Sequence, residues 1–189
     1  MTLFAPLLLG GSLAAHALAP VPPPVSVTAE EQAILGKGEI VVRYAGASQP
    51  TLAVVDVAAP PDKVMAAVLD LPARINDIGG LKSVEIYDSS PTGIGAKWEM
   101  GLALFTATFH IRYEFDRAKG WCTYTLDPAK DNDVSSSEGS YQVYAHGSGS
   151  RLVYRSASSI KGAPDWVKKK LAYSSAREML GGMKARAEK

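Results

Sequence analysis

Cysteine is nearly missing from this 189-residue chain, where Cys122 stands alone. An intrachain disulfide and a cysteine-based metal site are both excluded. Histidine is scarce, with three in all. An excess of one charge is lacking too. Twenty Lys and Arg face 19 Asp and Glu, a formal net charge of +1. No global field recruits nucleic acid or a membrane, and no nucleic-acid partner is expected. The common catalytic signatures are absent: no G-x-x-x-x-G-K-[ST], no G-x-S-x-G, no H-E-x-x-H and no C-x-x-C. No internal repeat is visible, and no cofactor is expected.

What is present is enough apolar residue, 47%, for one domain with a sizeable core and a small appendage. The appendage is N-terminal. Residues 1–19, "MTLFAPLLLGGSLAAHALA", are apolar, then small, with an A-x-A pattern at Ala15-His16-Ala17. The stretch is short for a span of about 20 residues and is interrupted by Gly10, Gly11 and Ser12. It carries no basic n-region, since the first basic residue is Lys37. The expectation is an export signal, cleaved or retained as an anchor, and a periplasmic or secreted domain. Residues 20–27, "PVPPPVSV", form a proline-rich extended spacer. The domain proper runs from 28 to 189.

Thr28 with Glu31 three residues on predicts a capped helix, stopped by Gly36 and Gly38. "EIVVRY" and "TLAVVDV" are β-branched runs that predict a hairpin. A helix follows over 61–70, with Pro61 in its first turn and Val64, Ala67, Val68 and Leu71 on one face. "PARIND" predicts a second short helix. From Leu81 to Ile160 the period becomes two. The apolar residues are even-numbered from Ile94 to Leu102, then odd-numbered from Phe105 to Phe115. That change of parity predicts a hairpin turn near 101–104, within a meander of five or six antiparallel strands. One long helix, about 164–187, closes the chain. It is the only element long enough to cover the apolar face of the sheet. A straight helix on a twisted sheet leaves space to be filled or kept as a cavity.

"VDVAAPPDKVMAAVLDLPAR", "PTGIGAKW", "EGSYQVYAHGSGSRLVYRS" and "APDWVKKKLAYSSAREMLGGMKARAE" resemble, in that order, segments of the START-like (SRPBCC, helix-grip) superfamily. Polyketide cyclases and coenzyme-Q-binding proteins belong to it. The resemblance covers about 51–187. It implies an α+β helix-grip fold, a curved antiparallel sheet wrapped around the long C-terminal helix, and a hydrophobic ligand. The helix and strand at 28–44 look like the longer START type.

The expected function is therefore binding or transfer of a lipid-like molecule by a monomer. The candidate ligand-binding residues are Trp98, Met100, Phe109, Tyr113, Tyr141, Tyr154, Leu171, Ser175, Met179 and Met183. Aromatics with polar tips orient a ligand's polar group, and Met gives an adaptable wall. Trp166 and Val167 beside Lys168, Lys169 and Lys170 suit transient contact with an anionic membrane surface. "INDIGGLKS" and "KGAPD" are candidate moving parts of a lid.

A cyclase or dehydratase would instead need His110, Arg112, Glu114 or a tyrosine inside the cavity. A third reading is a sealed-core interaction domain. His16 lies in the leader and His146 beside a glycine turn. "DNDVSSSE" lacks the glycine and distal glutamate of a calcium loop and reads as a polar turn. Tyr124 and Glu138 have no sequence reason to act as a pair. No catalytic or metal-ligating residue is predicted.

Overall fold

A computed structural model describes residues 24–44, 50–102, 105–159 and 165–189. For residues 102, 105, 159, 165–168 and 170–172 it describes the backbone alone. The leader, residues 20–23 of the spacer and residues 161–164 of "KGAPD" lie outside the described residues.

Helix α1 (Ala29–Leu35) starts on the predicted capping box. Thr28 Oγ1 accepts from the Glu31 amide at 3.2 Å, and Glu31 Oε2 accepts from the Thr28 amide at 2.8 Å. Arg43 Nε donates to Glu31 Oε1 at 2.6 Å. That guanidinium, helped by Thr28, pulls the Glu31 carboxyl down to about 2. A carboxylate with a lowered folded-state pKa stabilises the fold above its unfolded pKa and stops doing so as pH falls through the folded one. The clasp is thus fully effective above about pH 4.5 and lost toward pH 2. Glu31→Gln should flatten this part of the stability-versus-pH curve, read from urea midpoints. An unchanged slope in the variant would contradict the assignment.

Strands β1 (Val41–Arg43) and β2 (Thr51–Val57) form the predicted hairpin, with Val41 opposite Val54. Then come α2 (Pro61–Leu69), a 3₁₀ turn (Pro72–Asn76), β3 (Leu81–Ser89), β4 (Gly93–Leu102), β5 (Phe105–Asp116), β6 (Trp121–Leu126), β7 (Ser136–His146), β8 (Gly149–Ser159) and α3 (Asp165–Ala187). Among the described residues the sheet has eight strands, in the order β1-β2-β8-β7-β6-β5-β4-β3. Every pairing is antiparallel. The parity change is a tight hairpin: Leu102 pairs with Phe105, and Trp98 with Phe109.

The two faces of the sheet are separated by strict alternation. Ala53, Val55, Val57, Ala96, Trp98, Ile111, Tyr113, Cys122, Tyr124, Tyr141, Val143 and Leu152 point inward, into one core with α2 and α3. Val54 and Val153 point outward, where Leu35 of α1 and Val41 cover them. Val25 and Val27, assigned to the spacer by sequence, pack on this outer patch. The Ser26 carbonyl accepts from Arg43 Nη2 at 2.8 Å, so residues 25–27 are in contact with the folded domain.

Helix α2 is more deeply enclosed than its one-faced pattern predicts. Met65 and Leu69 are buried as well as Val64, Ala67 and Val68. The reason is that α2 touches both the sheet, at β7 and β8, and α3. The inner face is therefore covered by two helices rather than by α3 alone. Ala176, Met179, Leu180, Met183 and Ala187 form the buried stripe of α3. Polar ties lock this half of the helix. Arg186 Nη1 donates to Asp77 Oδ1 at 2.5 Å, and the Gly79 amide donates to Glu178 Oε2 at 2.9 Å. Lys184 Nζ reaches the Asp56 carbonyl at 2.9 Å, and the Ala58 amide donates to Glu188 Oε1 at 2.8 Å. Gly182 is required here, because a Cβ would overlap the Asp77 carboxylate. Among the described residues no helix is long and apolar enough to cross a membrane.

Candidate functional site

The inner face of the sheet carries four tyrosines from four consecutive strands. Tyr113 of β5 lies opposite Tyr124 of β6, and Tyr141 of β7 opposite Tyr154 of β8. Ring centroids are 5.7 Å apart for Tyr113–Tyr124, 5.9 Å for Tyr124–Tyr141 and 5.0 Å for Tyr141–Tyr154. The cluster exists because β7 has no side chain at Gly139, the residue opposite Tyr124. A Cβ there would overlap the Arg155 carbonyl oxygen and stand 2.6 Å from the Tyr124 ring. The resemblance motif "EGSY" thus has a steric basis: its glycine seats a neighbouring ring, and its tyrosine joins the cluster.

Three of the hydroxyls, those of Tyr124, Tyr141 and Tyr154, are engaged. Tyr124 Oη donates to Ser156 Oγ at 2.9 Å and lies 3.0 Å from Tyr154 Oη. Tyr141 Oη donates to Met179 Sδ of α3 at 3.2 Å, joining sheet to helix. Burial raises the pKa of all four phenols, and pushes the Cys122 thiol up to about 12. At neutral pH these groups are uncharged. They can orient a polar group, but they cannot serve as bases.

The predicted residues can now be placed. Trp98 and Phe109 stack with centroids 6.2 Å apart, toward the β3 edge. Met100 faces Ala107 across the same hairpin. Tyr113, Tyr141, Tyr154 and Met179 meet in the tyrosine cluster. Met183 is completely enclosed and belongs to the packing between α3 and its neighbours. Ser175 is half-buried on α3. Leu171, Trp166, Val167, Lys168 and Lys170 have side chains outside the described residues. Lys169 is exposed, its Nζ 6.0 Å from the Tyr173 ring centroid.

One central residue carried no signal in the sequence. Arg74, from the 3₁₀ turn, is 1% exposed. Its guanidinium lies 5.7 Å from the centroid of Tyr141. Nη2 donates to the Val68 carbonyl at 2.7 Å. Nε and Nη1 have no hydrogen-bond partner among the described residues. The positive charge opposes the rise in pKa at Tyr113, Tyr141, Tyr154 and Cys122, so it sits amid the cluster. Arginine does not shed its proton in proteins. An unpaired buried ion costs several kcal/mol, and a desolvated cation–π contact returns about 2 kcal/mol.

The residues a cyclase would need from β5 face the other way. Arg112 and Glu114 are exposed. Arg112 bridges Asp127, at 3.0 Å, and Asp88, at 3.2 Å. The His110 ring nitrogen Nδ1 lies 3.1 Å from the Asp131 carbonyl, on the outer surface. The "DNDVSSSE" turn is bound to that surface, with Asn132 and Asp133 accepting from the amides of His110 and Thr108 at 2.7 Å each. Glu138 is exposed while Tyr124 is buried, so alternation separates that pair. Among the described residues no group of three or more His, Cys, Asp and Glu side chains could hold a metal ion. An open cleft of about 280 Å³ lies at the β3–β4 turn, lined by Asp88, Thr92, Arg112 and Glu114 among others. Its walls join the outer ion pairs of Asp88 and Arg112 to Ile94 and Tyr113 at the end of the inner face.

By sequence the chain matches no family model and no curated protein. By structure the likeness is extensive. A STAR-related lipid transfer protein from Xanthomonas axonopodis superposes with a TM-score of 0.66 at 13% identity, over 79% of this chain and 93% of that one. A START superfamily protein from Mycobacterium smegmatis gives 0.60 at 16%, over 80% and 98%. An aromatase/cyclase from Streptomyces sp. R1128 gives 0.52 at 20%, over 79% and 87%. The chain has the START-like helix-grip fold, as its motifs predict.

Proposed function

We propose that this helix-grip domain binds one lipid-like molecule between its sheet and α3, and carries or sequesters it in an aqueous compartment after export. The carrying observation is an inner face that is not fully closed. Tyr154 and Phe109 point inward but are only half-buried, although burial is enough to raise the Tyr154 pKa. Apolar and aromatic surface left accessible on an inward face is what a ligand wall offers. The wall comprises Trp98, Met100, Phe109, Tyr113, Tyr141 and Tyr154 from the sheet, with Ser175 and Met179 above; Leu171 and Met183 complete the predicted set.

The mechanism is desolvation. At roughly 0.8 kcal/mol per CH₂, an eighteen-carbon chain meets a barrier of about 14 kcal/mol on leaving a membrane alone, and an apolar slot removes most of it. Export is supported by the apolar leader and its A-x-A pattern. Transient contact with an anionic membrane through the lysines near 168–170 is part of the same reading. The outward direction of His110, Arg112 and Glu114 supports binding over β5-based chemistry.

The test is gentle purification, extraction into organic solvent and mass spectrometry of the extract. A lipid-like species recovered close to one per protein is expected. An extract without one, from protein that also takes up no added lipid, refutes the reading.

A further inference from the structure

We propose that the ligand is an acyl-chain monocarboxylate and that Arg74 holds its carboxylate. The inference rests on the hydrophobic-ligand reading and narrows it. A guanidinium has five N–H donors and no acceptor. In Arg74 the nitrogens Nε and Nη1, which carry three of them, are unpartnered and buried among rings. Among the described residues no carboxylate forms an ion pair with this guanidinium, although Asp77 Oδ2 is buried and unpartnered as well. Asp77, close in sequence, has Oδ1 on Arg186, and Glu178 accepts from the Gly79 amide. The four nearby phenols stay protonated because they are buried. They can donate to an oxyanion or accept from a donor, but cannot neutralise a cation.

The balance of charge selects the ligand. Arg186 and Lys184, the basic side chains of α3 nearest the 3₁₀ turn and β2, are held by Asp77 and by Glu188 with the Asp56 carbonyl. Among the described side chains of the inner face one guanidinium therefore remains, which matches one negative charge; Arg155, whose Nη1 is also unpartnered, alternates with Tyr154 to the outer face. A phosphate monoester carries nearly two, and a neutral alcohol, sterol or quinone leaves the cation unanswered. The tail would run from Arg74 along Tyr154 and past the buried Tyr113 toward Phe109, where the half-buried rings of the inner face lie.

The experiment titrates the full domain with oleate, oleyl alcohol and oleyl phosphate, three probes with one tail, by calorimetry below their aggregation concentrations. Oleate should bind roughly tenfold or more tighter than the alcohol, as expected of charge-assisted hydrogen bonds. Arg74→Met should bring oleate down to the affinity of the alcohol, and Arg74→Lys should recover part of the difference. Equal affinity for oleate and oleyl alcohol in the unmodified protein overturns the carboxylate anchor and leaves the carrier reading standing. So does an oleate preference that survives Arg74→Met. Oleyl phosphate binding tightest overturns the choice of carboxylate. No binding of any probe overturns both. The comparison in the unmodified protein decides the matter even if neither variant folds.

Discussion

Arg74→Met should raise the stability of the ligand-free protein, by about 1–3 kcal/mol, where most substitutions of a fully buried residue lower it. The direction follows from three opposed effects. The substitution removes an ion whose burial costs several kcal/mol after relaxation. It sacrifices the bond from Nη2 to the Val68 carbonyl, at about 1.5–3 kcal/mol, and the contact with Tyr141, at up to about 2 kcal/mol. Methionine then fills much of the volume with an apolar, adaptable chain. For a domain of this size each 1 kcal/mol moves the thermal midpoint by about 2–4 °C, so a rise of several degrees is the expected scanning-calorimetry result. A fall in the midpoint would mean that the guanidinium is already well compensated. Such a gain in stability with a loss of binding is the usual mark of a functional group held at structural cost.

Gly139→Ala should have the opposite effect, a loss of about 3 kcal/mol, at the upper end for overpacking. The new methyl cannot be absorbed by a rotamer change. It meets the backbone carbonyl of Arg155 on β8 and the ring of Tyr124 on β6 together. Either β7 and β8 separate locally or Tyr124 leaves its place, giving up its bonds to Ser156 and Tyr154. Urea unfolding should show the lower midpoint, and near-ultraviolet circular dichroism a weaker tyrosine signal. An unperturbed spectrum at native stability would show that the glycine is not what seats the ring.

These two residues mark where sequence reasoning succeeds and where it stops. Alternation along β5 is a local property. The oddness of Phe109, Ile111 and Tyr113 told which way Trp98 points across the hairpin, and the evenness of His110, Arg112 and Glu114 told that they share a face. The capping box at Thr28 was legible for the same reason, since both partners lie within one turn. Arg74 sits in "PARIND", a short polar stretch whose periodicity spans too few residues to assign a face. Its burial is decided by Tyr141, far along the chain, and by the packing of the 3₁₀ turn under α3. Gly139 was recognisable as part of a motif, but its purpose depends on the residue across the strand pair. The full burial of α2 was hidden similarly: Met65 and Leu69 are enclosed because a second helix lies against them.

The ties on the C-terminal half of α3 bear on how the proposed ligand would enter. Asp77 with Arg186, Gly79 with Glu178, Lys184 with the Asp56 carbonyl and Glu188 with the Ala58 amide join that half to the 3₁₀ turn, its following loop and β2. The glycine-rich segment 75–80 is therefore no free flap. It is tied to the helix through Asp77 and Gly79. Peeling this end away would break all four attachments at once and expose Met179, Leu180 and Met183, so α3 behaves as a beam built into a wall at its C-terminal end. On the carrier reading, entry is expected by bending that beam toward its other end or beneath the β3 rim, with the anchored end as pivot.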